Sequence, residues 1–167
     1  VVKYCNLVYP PEDCEADPVT LQTIFELMDR AEKQGFTFVQ GRALDILLIA
    51  YSTMSRLGEI AQLVPEDVLV DEHGTVRVNL STKQSVKKGL KVWKLVPRAM
   101  GRRSWCPRQI LLEWYNRAKE GHLSFVFSDD KDRKPTVPSI DKALALVVRK
   151  LMPEYKFRIS GHSARKG

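Results

Sequence analysis

His162 and Arg165 stand three residues apart near the end of a 167-residue chain, within Ser160-Gly161-His162-Ser163-Ala164-Arg165. Residues at i and i+3 share one face of a helix, so an imidazole and a guanidinium there point at a common spot. Ser160-Gly161 suits a helix start, where unpaired backbone N–H groups already favour an anion. The combination makes a grip for a phosphate. Arg56 lies in Ser52-Thr53-Met54-Ser55-Arg56-Leu57-Gly58-Glu59-Ile60, directly after a strongly apolar run and at a predicted break between two helices. A buried or half-buried arginine at such a break requires an anionic partner, either Glu59 or a bound phosphate. Lys83 closes Asn79-Leu80-Ser81-Thr82-Lys83, at the mouth of a hairpin that returns through Gly89. Taken singly, each has a plainer reading: a surface helix, an Arg56–Glu59 salt bridge, a solvated turn lysine.

The elements that must position these residues follow from periodicity and punctuation. Asp17-Pro18 predicts a helix start, with Leu21, Ile24, Phe25 and Met28 as the apolar face and Gly35 as the stop. A buried helix is predicted over 41–53, with Leu44, Leu47, Leu48 and Tyr51 on one face and Ile46 and Ala50 filling in. A short helix over 56–63 follows, and Pro65 breaks the pattern. Three strands are predicted near 68–70, 75–80 and 90–96. In the second, Val76, Val78 and Leu80 face one way and Thr75, Arg77 and Asn79 the other. Two amphipathic helices are predicted over 105–119, burying Ile110, Leu111, Trp114 and Tyr115, and over 139–151, burying Ile140, Leu144, Val147, Val148 and Leu151. Between them Phe125-Val126-Phe127 is a brief buried run. Residues 1–16 form a lead-in stiffened by Pro10-Pro11, and 17–167 the domain. The fold class is α+β: mainly helical, with one small three-stranded antiparallel sheet.

In their order along the chain, the three segments resemble the catalytic domain of the tyrosine recombinase (phage integrase) family, the Cre-type recombinases most of all. Thr-Met-Ser-Arg-Leu-Gly-Glu-Ile resembles the family's first-arginine box, Ser-Thr-Lys its hairpin lysine, and Ser-Gly-His-Ser-Ala-Arg its His-x-x-Arg box. The resemblance covers 17–167 and implies site-specific recombination or integration, the work of a mobile element, through a 3′-phosphotyrosyl intermediate. It implies double-stranded DNA as partner, self-association on that DNA, and neither metal nor cofactor. A non-catalytic DNA-binding relative, or an enzyme of the type IB topoisomerase or telomere-resolvase kind, fits the same boxes.

Elementary chemistry assigns compatible roles. Metal-free cleavage of a phosphodiester accumulates charge on the non-bridging oxygens, and fixed cations must meet it. Arg56 and Arg165 suit that task because a guanidinium grips two oxygens and stays charged. His162 bonds the phosphate or handles the nucleophile's proton, and Lys83 protonates the leaving 5′-oxygen. Glu59 is a supporting residue that orients the network around Arg56. The family's nucleophile is a tyrosine downstream of the His-x-x-Arg box, whereas Tyr4, Tyr9, Tyr51, Tyr115 and Tyr155 all lie upstream of it. The chain therefore reads as a domain truncated before its nucleophile. The 167 residues alone are expected to form no covalent adduct with a nicked suicide DNA substrate. A denaturation-resistant adduct would overturn that expectation, with Tyr155 the first suspect.

Charge is segregated along the chain. Its net charge is +7, and 73–112 contains no Asp or Glu but ten basic residues: Arg77, Lys83, Lys87, Lys88, Lys91, Lys94, Arg98, Arg102, Arg103 and Arg108. Such an acid-free stretch is an electrostatic footprint for a polyanion. Arg77, Lys87, Lys88, Lys91, Arg102 and Arg103 are the predicted DNA contacts. No apolar run is long enough to span a membrane. Cys5, Cys14 and Cys106 show no metal-ligand spacing and fit a reducing, intracellular setting in company with DNA.

Overall fold

Thr20 opens the first helix among the described residues: its Oγ1 accepts the Thr23 N–H at 3.1 Å. The computed structural model describes residues 19–80, 92–98 and 105–155, and α1 within it runs Leu21–Gln34. The helix thus starts beyond the predicted Asp17-Pro18, because the nearer hydroxyl satisfies a first-turn N–H. Val19 before the cap and Ile24 inside the helix are both buried, the positions of a hydrophobic staple. Gly35 ends α1 with φ 75°, as expected of a residue without a Cβ. The buried stripe is Ile24, Leu27, Met28 and Ala31. Leu21, predicted for that face, is exposed at the first helical position, and Phe25 stacks half-buried on Trp105 with ring centroids 5.6 Å apart.

α2 (Phe38–Ser52) begins before the predicted residue 41, through a capping box. Thr37 Oγ1 accepts the Gln40 N–H at 3.3 Å, and Gln40 Oε1 accepts the Thr37 N–H at 3.0 Å. α2 is buried nearly all round, from Gly41 to Leu44 and again from Ile46 to Ala50, which marks it as the central helix. α3 (Leu57–Ala61) follows, then a 3₁₀ turn at Pro65–Asp67. The sheet comprises β1 (Val68–Val70), β2 (Val76–Asn79) and β3 (Trp93–Val96), antiparallel in the order β1-β2-β3. α4 (Pro107–Glu120) and α5 (Val137–Leu151) complete the described fold, and both pack on α2. All five apolar residues predicted for α5 are buried, whereas α4 buries Ile110, Leu111 and Ala118, with Trp114 and Tyr115 half-buried. Val126 and Phe127 are fully buried in a turn, and the Val126 N–H donates to the Leu63 carbonyl at 2.8 Å.

Two charged residues interrupt the packing of α2: Arg42, which donates to the Phe127 carbonyl at 3.1 Å, and Asp45. Asp45 accepts the Trp114 indole N–H at 2.8 Å, and burial pushes its carboxyl up to about 6 against that hydrogen bond, with nearby Glu113 adding to the rise. An acid whose folded pKa is raised favours its protonated form in the fold. Its contribution to stability is therefore greatest below the ordinary value of 3.8 and is lost as the pH rises through about 6. Asp45→Asn keeps an oxygen for Trp114 and removes the charge. Urea unfolding should show the variant more stable at neutral pH by roughly 1–3 kcal/mol, with the acidic-range slope flattened. An unchanged pH profile would contradict the burial argument.

Candidate functional site

The turn that presents Arg56 is built from hydrogen bonds at the end of α2. The Ser55 N–H donates to the Ala50 carbonyl at 2.8 Å and the Met54 N–H to the Tyr51 carbonyl at 3.0 Å, the paired bonds of a Schellman reversal. Met54 occupies its left-handed position with φ 52°, a place glycine usually takes. Side chains alternate through the reversal: Thr53 and Ser55 are buried, Met54 and Arg56 exposed. Thr53 Oγ1 lies 2.7 Å from the Ile49 carbonyl and 2.8 Å from Ser55 Oγ, so both buried hydroxyls are satisfied.

Arg56 caps α3 in an extended conformation, φ −79° and ψ 147°. Its backbone N–H donates to Glu59 Oε2 at 2.8 Å. Arg56 is neither buried nor half-buried: the buried anchor is Leu57, and the reversal turns the arginine side chain outward. Glu59 acts on the Arg56 backbone in this bond, holding the residue's direction. Gly58 sits where α3 approaches α5 closely, since a Cβ there would lie 3.0 Å from Val137 Cγ2.

Lys94 of β3 closes the other side of the reversal. Its Nζ donates to the Thr53 carbonyl at 2.8 Å, the Met54 carbonyl at 3.0 Å and Ser55 Oγ at 3.3 Å. Arg77 is exposed on β2 opposite Leu69 and Leu95, whereas Lys94 pairs with buried Val78. The sheet therefore aims Arg77 away from the face that carries Lys94. Arg98 is exposed, and Arg108 donates to the Gly74 carbonyl at 2.9 Å. The structure thus brings Arg56 and Glu59 together and sets Arg77 apart. Lys83, Lys87, Lys88, Lys91, Arg102, Arg103, His162 and Arg165 lie outside the described residues, as does the 1–16 lead-in. Among the described residues no three His, Cys, Asp or Glu side chains gather as a metal site, and no helix is long and apolar enough to cross a membrane.

Lys94 is the residue that sequence reading missed. It appears in the acid-free stretch as one basic residue among ten, and only the pairing of β3 with β2 and the packing of the sheet under the α2–α3 turn reveal its task.

No protein-family model matches the chain, and no curated protein matches it in sequence. Solved structures do match its fold. The site-specific recombinase XerH in its pre-cleavage complex with difH substrate aligns with a TM-score of 0.62 at 14% identity, over 89% of this chain and 40% of that one. The XerH post-cleavage complex on palindromic difH gives 0.61 at 14% identity, over 88% and 39%. A lambda integrase dimer bound to a COC′ core site gives 0.54 at 15% identity, over 88% and 38%. The described residues share the fold of these recombinase and integrase structures: helical, with a three-stranded antiparallel sheet. The chain spans about two fifths of the length of these structures.

Proposed function

We propose that this chain is the DNA-gripping part of a site-specific recombinase, and that Arg56 is a phosphate ligand of its active centre. The observation that carries the proposal is the outward Arg56 at the start of α3, delivered by a satisfied reversal in a recombinase fold. Similar structures were solved on DNA substrates, which supports duplex DNA as the partner here. The three sequence boxes support a Cre-type member of that class. In this reading Arg56 and Arg165 clamp the non-bridging oxygens, His162 bonds the same phosphate, and Lys83 serves the leaving oxygen. The chemistry requires neither metal nor cofactor, and recombination requires self-association on the DNA.

The test is Arg56→Ala in the full chain, assayed by titration with a short duplex. Hydrogen bonds to charged groups carry about 1.5–3 kcal/mol, so affinity should fall roughly tenfold to a hundredfold. The log–log salt slope should lose about 0.9 of its magnitude, the share of one phosphate. Sulfate soaked into crystals should lodge between Arg56 and the His162–Arg165 pair. Unaltered affinity and slope in Arg56→Ala would remove the residue from the DNA surface and the reading with it.

A further inference from the structure

We infer that Lys94 is a positioning residue for Arg56: its ammonium, reaching in from β3, locks the Thr53–Ser55 reversal that turns the arginine outward. An ammonium has three N–H bonds to give, and three oxygens of the reversal stand within 3.3 Å of it. Two are the Thr53 and Met54 carbonyls at the spent end of α2, where backbone oxygens lack helical partners and the helix dipole is negative. The third is the buried Ser55 hydroxyl, already engaged with Thr53. The donors of Lys94 are therefore committed to the protein, and the residue acts through the turn.

The turn needs holding. Met54 occupies a left-handed conformation that a side-chain-bearing residue adopts at a cost, so the reversal is less stable than a glycine version. Two residues further on stands Arg56, whose direction depends on how the reversal closes. Lys94 also belongs to the strand that leads out of the segment holding Lys83, so one side chain ties the strand after that lysine to the turn before the arginine. This coupling rests on the reading of Arg56 as a phosphate ligand, whereas the locking of the turn does not.

The experiment therefore has two arms. In the full chain, Lys94→Met should raise amide exchange of Met54 and Ser55 at least tenfold and leave amides in the middle of α5 unchanged. Lys94→Arg should restore most of the protection. If the Met variant does not fold, Lys94→Gln, which keeps a neutral donor, takes its place in the same comparison. In duplex titrations Lys94→Met should weaken binding severalfold without changing the salt slope, and the Arg56→Ala/Lys94→Met double variant should bind no worse than Arg56→Ala. Unchanged exchange at Met54 and Ser55 overturns the inference. So does a slope reduced by about 0.9 with losses that add, since that marks Lys94 as a phosphate ligand itself. Faster exchange together with an Arg56→Ala variant that binds DNA normally leaves the locking role standing and defeats the phosphate reading of Arg56.

Discussion

Raising the salt from 50 to 200 mM should lower the chain's affinity for duplex DNA by about a thousandfold, the loss expected when roughly six phosphates are neutralised. The acid-free stretch 73–112 supplies the charge, yet not all of its ten basic residues are free to meet DNA. Lys94 is committed to the Thr53–Ser55 turn and Arg108 donates to the Gly74 carbonyl. By sequence the stretch holds eight further basic residues, Arg77, Lys83, Lys87, Lys88, Lys91, Arg98, Arg102 and Arg103, and the expected slope asks for about six contacts. Arg77 and Arg98 are both exposed. Replacing Lys87 and Lys88 together by Ala should reduce the slope by about 1.8 and leave sequence preference alone, because phosphate contacts position without reading bases. Fluorescence anisotropy across a salt series measures both. A flat response in the parent chain would defeat the electrostatic reading of the whole stretch.

Much of the architecture was legible because it depends on local devices. The apolar spacing of Ile140, Leu144, Val147, Val148 and Leu151 places α5, and the alternation around Arg77 places β2. Gly35 stops α1 as its missing Cβ leads one to expect. The start of α2 was legible too, in the Thr37-x-x-Gln40 box, but the apolar run draws the eye to its buried middle. Other features were not local. Met54 hides a reversal that glycine would have announced, so the sequence leaves open a buried or half-buried Arg56 where the chain turns it outward. Lys94 looks like any lysine of a basic stretch until the sheet sets its amine against the carbonyls of a turn some forty residues earlier. Long-range geometry of that kind leaves no periodic trace.

Leu57 and Arg56 are neighbours with opposite duties, and substituting each by Ala should separate them cleanly. Leu57 is fully buried at the first position of α3, in the same core as Ile60 and Leu63. Its truncation removes apolar burial and leaves a cavity that a five-residue helix pinned between α2 and α5 cannot readily close. Leu57→Ala should cost about 2–5 kcal/mol, which lowers Tm by roughly 5–15 °C for a domain of this size. Arg56→Ala removes only an exposed side chain and keeps the backbone N–H that Glu59 accepts, so its stability should change by about 0.5 kcal/mol or less. Duplex affinity measured well below either Tm should show the reverse order, with Arg56→Ala severely weakened and Leu57→Ala weakened less. Thermal unfolding and DNA titration on the two variants supply the four measurements. A large loss of Tm in Arg56→Ala would make the arginine a structural ion-pair partner, the plainer role that its segment also allows.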